Sequence, residues 1–435
     1  MKATQFHTRS TINLETLKNG VVEDSQGNLF ASEEFQWNAD EMSILHSGVD
    51  TIKQLYSGLM DMDMLTDITR VFDSGFGQFI DLPDADGLLT PFMVTSGRKG
   101  GYRFILINNE IGITILVQNT KVKPELNGSH IKIELSPHYI INHSASDVQN
   151  IMDHYANQII YQTKHAGTAV HLCTDFQGIE IPHDFDRQLT SRSRRVVSRT
   201  GLSEIDIPLL ASRYGEAQSF LFGRASSLQF ALYRKDIQAK ECDKMHLWGQ
   251  IWNDATDRHL EPSYAPDKPV WRAELRFHHS VIQELGRDKG LELNSYLDVS
   301  TMLSELWRYG LQNSYRWDMN TKYIHPSWQF LIESVFIPSN QGFVFTRRIK
   351  KTPGEGNQKN IGLAYGNLLS IYARNRFTLD YCMQCLKKSG LWQDLSRYWA
   401  HKTGLYDESH LIEHFIREDV ERKLKIKRIG YGIAA

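Results

Sequence analysis

Side-chain alternation constrains this chain more than any other feature. Successive residues of a strand point to opposite faces, and four stretches place their apolar residues on one face only. In 131–135 (IKIEL), Ile131, Ile133 and Leu135 oppose Lys132 and Glu134. In 170–176 (VHLCTDF), Val170, Leu172, Thr174 and Phe176 oppose His171, Cys173 and Asp175. In 228–235 (LQFALYRK), Leu228, Phe230 and Leu232 oppose Gln229, Ala231, Tyr233 and Lys235. In 271–277 (WRAELRF), Trp271, Ala273, Leu275 and Phe277 oppose Arg272, Glu274 and Arg276. Such strands need a sheet with one face against an apolar layer. If they share that sheet, its second face collects Glu134, His171, Asp175, Tyr233, Lys235, Arg272, Glu274 and Arg276. That set holds carboxylates and an imidazole for a divalent cation, cations for phosphate oxygens and a phenol able to act as a nucleophile. An antiparallel sheet with one wet face shows the same alternation, so the pattern alone leaves both readings open.

The rest of the chain surrounds these strands. Residues 1–40 read as a polar arm, 41–62 as a short apolar piece leading into a helix from Thr51, and 75–87 as a Gly- and Asp-rich loop. The runs RFILI and GITILV, with Asn108, Asn109 and Glu110 between them, predict a hairpin over 103–117. Val148, Ile151, Met152, Tyr155, Ile159 and Ile160 recur at helical spacing and predict a helix over 146–164, capped by Ser146. A second hairpin is expected around 223–225, a helix from His279, and an amphipathic helix over 298–312. After a Pro/Gly linker at 352–356 the remainder reads as helical. IKIELSP (131–137) and WRAELRF (271–277) carry Glu at the same phase. The expectation is an α+β fold: a central, mostly antiparallel sheet built from two related halves, with a C-terminal helical region. The expected domains are an arm at 1–40, an α+β domain at 41–285 and a helical region at 286–435.

Composition excludes several classes. With 23% charged and 41% hydrophobic residues among 435, the chain is neither disordered nor fibrous. No apolar run approaches the roughly 18 residues of a membrane helix, and the polar first ten residues do not read as a signal peptide. Four cysteines make no disulfide framework. These features predict a cytoplasmic protein with no membrane partner. The net charge of −2 hides a gradient: the first 100 residues hold 7 basic and 15 acidic side chains, and 346–435 hold 17 and 9. Arg192, Arg194, Arg195 and Arg199 form a second basic run, and Lys425, Lys427 and Arg428 end the chain's last helix. Both are candidates for a polyanion partner, or are solvated faces. Cys382 and Cys385 have no second pair to complete a zinc site, and no phosphate-loop motif is present.

The stretch FLFGRASSLQFALYRKDIQ (220–238), followed by VWRAELRF (270–277), resembles the Rep_trans-type rolling-circle replication initiators and relaxases of plasmids, filamentous phages and integrative conjugative elements. That family shows a strand, a Gly-Arg/Lys turn, a strand reading R-x-Y-D-K-x-x-E, and then R-x-E on a later strand. AVHLCTDFQG (169–178) resembles its T-R-x-D-L-x-x-D strand, and IKIELSP the strand and turn upstream. The stretch RWDMNTKYIHPSW (316–328) with Trp307, and GLAYGNLLSIYA (362–373), look like the tails of phage and element members. The likeness spans roughly 130–375. It implies a nickase that cuts one DNA strand at an origin through a covalent 5′-phosphotyrosine and later rejoins it.

On that resemblance Tyr233 is the nucleophile and Lys235 a phosphate contact. Asp175, Glu274, Glu134 and His171 are the ligands of Mg2+ or Mn2+. Arg272 and Arg276 join the two basic runs as DNA contacts. The implied partners are origin duplex and single strand, a host helicase and a second copy of the chain. The sequence departs from the family at Ala169, His171, Ala231, Arg234 and Gln238, where the family carries Arg, Asp, Arg, Asp and Glu. The alternative is therefore a non-catalytic origin- or operator-binding protein with an eroded nicking site.

Overall fold

The computed structural model describes residues 8–18, 21–24, 27, 29–31, 42–75, 77–97, 101–192, 196–198, 219–257, 264–333, 335, 337, 344–349, 358–403 and 409–430. Among them, eleven strands form one antiparallel sheet. In chain order these are β1 Ser43–Met60, β2 Phe79–Pro83, β3 Leu89–Ser96, β4 Tyr102–Asn108, β5 Ile113–Asn119, β6 Gly128–Leu135, β7 Ile160–Gln177, β8 Val196–Ser198, β9 Ser219–Gly223, β10 Leu228–Arg234 and β11 Trp271–Phe277. Across the sheet the order is β8-β9-β10-β11-β7-β1-β6-β5-β4-β3-β2. The helices used below are α1 Met62–Asp73, α2 Ala145–Asn157, α3 Lys235–Glu241, α4 Met245–Asp257, α5 His279–Lys289, α6 Leu303–Tyr309, α7 Pro326–Glu333, α8 Gln358–Arg374, α9 Leu379–Lys388, α10 Trp392–Thr403 and α11 Ser409–Gly430. The fold is α+β.

The strand order follows one scheme twice. β1 and β7, each of 18 residues, lie antiparallel at the centre. From β1 the chain crosses to one edge and returns strand by strand until β6 pairs with the outer side of β1. From β7 it crosses to the other edge and returns until β11 pairs with β7. Each return strand leads toward a core helix, α2 after β6 and α5 after β11. The 131–137 and 271–277 likeness therefore marks equivalent strands. The equivalent of β7 in this scheme is β1.

One face of the sheet carries the core. Ile52, Ile131, Ile133, Val170, Leu172, Phe230, Leu232, Ala273 and Leu275 are buried there, together with Met152 and Tyr155 of α2 and Val281, Ile282 and Leu285 of α5. Burial of each such aliphatic or aromatic side chain contributes about 1.5–3 kcal/mol. Leu306, Trp307, Leu311 and Trp328 join the same cluster. The core thus continues past 285/286 to Phe345, and a separate cluster begins with Ile361 of α8. In that second cluster α8 to α11 pack Tyr365, Leu369, Leu386, Leu395, Trp399, Ile416 and Val420 around one another.

Several local expectations change. Residues 51–60 are strand, not helix, because their pattern of alternate burial is set by pairing with both neighbours. Residues 79–83, read as loop, form the edge strand β2. The helix expected over 146–164 stops at Asn157, and Ile160 already belongs to β7. The apolar Ile159 and Ile160 fit either element. Its cap is Ser144, whose hydroxyl accepts from the Asp147 backbone N–H while the Asp147 carboxylate accepts from the Ser144 backbone N–H. The helix expected over 298–312 breaks into Tyr296–Ser300, α6 and a π-helical turn at Gly310–Ser314. The hairpins at 102–119 and 219–234 form as the sequence indicates. Gly223 sits at φ +92°, and a Cβ there would lie 2.4 Å from both the Leu228 carbonyl and the Tyr315 hydroxyl oxygen, so the hairpin requires glycine.

Candidate active site

The second face of the sheet is polar where β1, β7, β11 and β10 run side by side. Pairing places His171 opposite Arg276, Asp175 opposite Arg272, and Tyr233 opposite Arg272. Cross-strand partners share a face, so these groups lie together. One member comes from a break in the alternation. Val49 pairs with Leu172 and Thr51 with His171, leaving Asp50 as the extra residue of a bulge. A bulge re-aims a side chain, and here it brings Asp50 to the polar face. The Thr51 hydroxyl donates to Asp50 Oδ2 at 3.0 Å.

Glu274 is the hub. Its carboxylate accepts from Arg276 Nε at 2.8 Å and Nη2 at 3.0 Å, and from the Tyr233 hydroxyl at 3.2 Å. His171 Nδ1 lies 3.2 Å from Glu274 Oε1. Burial alone would raise the Glu274 carboxyl, but the Arg276 guanidinium and His171 outweigh it and hold the group well below its ordinary range. Burial, and then the charge of Glu274, push the Tyr233 phenol well above its ordinary value. The phenol is therefore protonated and donates to the carboxylate. Burial lowers the His171 imidazole against the pull of Glu274, so it is neutral and able to coordinate.

Beside the hub lies a sealed ion pair. Arg272 grips Asp175 through Nε and Nη2, the latter at 2.8 Å, and reaches Asp50 through Nη1. Both Arg272 and Asp175 are fully buried. Helices α3 and α4 cover them: Trp252 donates its indole N–H to Asp175 Oδ2 at 2.9 Å, and the Trp248 ring lies under the Arg272 guanidinium at 4.1 Å. Burial would raise Asp175, but Arg272 holds it below its usual range.

Lys235, expected on the strand, is instead the first residue of α3. The strand ends at Arg234, whose side chain bonds Asp236. The buried ammonium of Lys235 donates to Gln238 at 2.6 Å and sits 4.3 Å from the Trp248 ring centre and 6.0 Å from that of Tyr233. Burial, and then the Arg272 charge, lower it to about 8.

The structure thus gathers Tyr233, Glu274 and His171 and adds Asp50, which the sequence reading missed. Donor atoms of Asp50, His171 and Glu274 all lie within 4.8 Å of one another. Two carboxylates and an imidazole suit a divalent cation. Asp175 does not belong to that group, because Arg272 and Trp252 take both its oxygens. Glu134 stands apart on β6, bound by Lys132 at 2.6 Å and Lys53 at 3.5 Å. Arg272, expected to touch DNA, is inaccessible. Arg276 is 16% exposed and engaged by Glu274.

Of the two basic runs, Arg194, Arg195 and Arg199 lie outside the described residues. Arg192 follows the short strand Leu189–Ser191, which pairs with Tyr315–Trp317. On α11 the three cations are engaged: Lys425 by Glu421 at 2.9 Å, Lys427 by the Ser370 hydroxyl at 2.7 Å, and Arg428 by the Phe377 carbonyl.

No family model matches the chain. It is similar to an uncharacterized protein, ORF430, of Pseudomonas phage Pf1, with 27% identity over 413 residues covering 90% of each chain. Among the described residues no helix is long and apolar enough to cross a membrane.

Proposed function

We propose that this chain is a DNA nicking-and-joining enzyme, a replication initiator or relaxase of a mobile element, with Tyr233 as its nucleophile. The observation that carries the reading is the Tyr233 hydroxyl on Glu274 Oε2, beside the Asp50, His171 and Glu274 donors. The resemblance of 220–238 and 270–277 to Rep_trans-type initiators agrees with it, and the similarity to a phage protein is compatible with a mobile-element origin.

In the reaction the Tyr233 oxygen attacks a backbone phosphorus. The P–O3′ bond breaks, a 5′-phosphotyrosine forms, and the 3′ oxygen leaves as a hydroxyl. The phenolic proton departs along the hydrogen bond to Glu274 and is passed on to the leaving 3′ oxygen, and reversal rejoins the strand without a nucleotide. Asp50, His171 and Glu274 would hold Mg2+ or Mn2+, which supplies neutralisation of charge on the phosphoryl oxygens. Arg276, bound to Glu274 in this structure, would meet phosphate once released. The work of unwinding falls to a host helicase, in the cytoplasm, and origin binding to Arg192, its neighbours and the α11 cations.

The test is incubation with a supercoiled plasmid carrying the element's own origin, with Mg2+ or Mn2+. Relaxed DNA bearing denaturant-resistant protein supports the proposal. Tight origin binding with no nick and no adduct supports the second reading, an origin- or operator-binding protein. That reading draws on the fully occupied Glu274 carboxylate and the sealed Asp175.

A further inference from the structure

The Glu274 carboxylate already has four donors on its two oxygens: two from Arg276, one from Tyr233 and one from His171. A cation that reaches Glu274 has to displace at least one of them. The arginines of the site differ in their freedom to leave. Arg272 is fully buried, held on two sides by Asp175 and Asp50, and lies over Trp248. Arg276 is partly exposed, and among the described residues its side chain bonds Glu274 alone. It sits two residues along the same strand, so rotation about its own side chain carries the guanidinium outward without moving backbone. Tyr233 is buried, and His171 is itself one of the three cation donors, so Arg276 is the group whose departure both frees Glu274 and removes a competing charge.

We infer that Arg276 is an exchangeable internal counter-ion: it neutralises Glu274 until a divalent cation enters, and is then expelled toward solvent, where it takes a backbone phosphate. This deepens the nicking proposal and rests on its metal site. Charge arithmetic gives it direction. Before exchange, Asp175 and Asp50 share Arg272 while Glu274 holds Arg276, which leaves this group one negative charge. After exchange the two carboxylates face a doubly charged ion, and the guanidinium adds its charge to the open side. The site then turns from self-satisfied to anion-seeking, so metal and single-stranded DNA bind cooperatively, and each strengthens the other by the same factor.

The experiment uses the full chain and two readouts other than nicking. Mn2+ alone is titrated and followed by electron paramagnetic resonance. Binding of a single-stranded oligonucleotide is followed by fluorescence anisotropy with and without Mn2+. In the native chain Mn2+ should tighten the oligonucleotide about fivefold or more. In Arg276→Met, Mn2+ alone should bind about tenfold more tightly, because a competing cation is gone, and the Mn2+-dependent gain in oligonucleotide affinity should disappear. Arg276→Lys, which keeps the charge but not the two-pronged grip, should fall between, and it serves if the methionine variant melts early. Equal or weaker Mn2+ binding by both variants overturns the exchange, as does retention of the DNA gain in Arg276→Met or failure of the native chain to bind Mn2+. Exchange without any covalent adduct on origin DNA would sink the nickase and leave the counter-ion device standing.

Discussion

Glu134 and Glu274 occupy the same place in two equivalent strands, β6 and β11, yet their surroundings differ. Glu134 keeps 25% of its side chain exposed and is clasped by Lys53 and Lys132. Glu274 keeps 2% and holds an arginine, an imidazole and a phenol. The strands are the same device, and the difference comes from what is added. Around Glu274 are added the Asp50 bulge of β1, the hairpin that delivers Tyr233, and a cover from α4, whose Trp252 bonds Asp175 and whose Trp248 lies under Arg272. A wet sheet face becomes a candidate site through one irregular residue and one cover, while the alternation beneath stays unchanged.

The sharpest way to test that contrast is to compare Tyr233→Phe with Glu134→Gln. The first removes one oxygen and should abolish the covalent adduct, a loss of at least about 10³-fold in nicking, while origin binding persists. The second should leave nicking within about twofold. Equal losses would mean that the two halves share the work. Next in size is stability. Arg272→Met strands Asp175 and Asp50 without their guanidinium and should cost about 3–5 kcal/mol in urea unfolding. Lys132→Met, at the equivalent place in the first half, should cost no more than about 1 kcal/mol.

The smallest effect concerns pH. The Lys235 ammonium titrates at about 8 in the folded chain and near 10.4 when unfolded. Between those values the unfolded chain binds more protons, so this group makes stability rise with pH, by up to about 3 kcal/mol across that window. Below about 8 both states are protonated and its penalty is fully present. Lys235→Met should flatten the rise between pH 8 and 10. An unchanged slope would show that the ammonium is not desolvated under Trp248.

The sequence made the regular parts of this site visible. Strict alternation in β6, β7, β10 and β11 showed which side chains share a face, and the Gly223 turn with the 271–277 strand brought Tyr233 near Glu274. What stayed hidden was whatever broke a period. Asp50 enters through a bulge, which shifts every later residue to the other phase. The strand it belongs to reads as helical beyond Thr51, because its burial depends on two long-range partners. Alternation also could not tell that Asp175 would be consumed by Arg272, since both are merely ionisable on paper and the cover that seals them comes from α4. Lys235 fits the alternation of its strand, yet the strand ends one residue earlier.

The placement of β1 and β7 at the centre of the sheet also sets when the donor cluster can first exist. Asp50, His171 and Glu274 come from three strands that meet only after the chain has left the centre twice and returned to it. Pairings between such distant segments are slow to form and come late in folding. A chain cut short before Glu274 carries Asp50 and His171 on β1 and β7 but lacks the third member of the cluster. A nascent, truncated or half-folded copy therefore lacks the complete cluster, whose assembly doubles as a certificate that the whole sheet has closed.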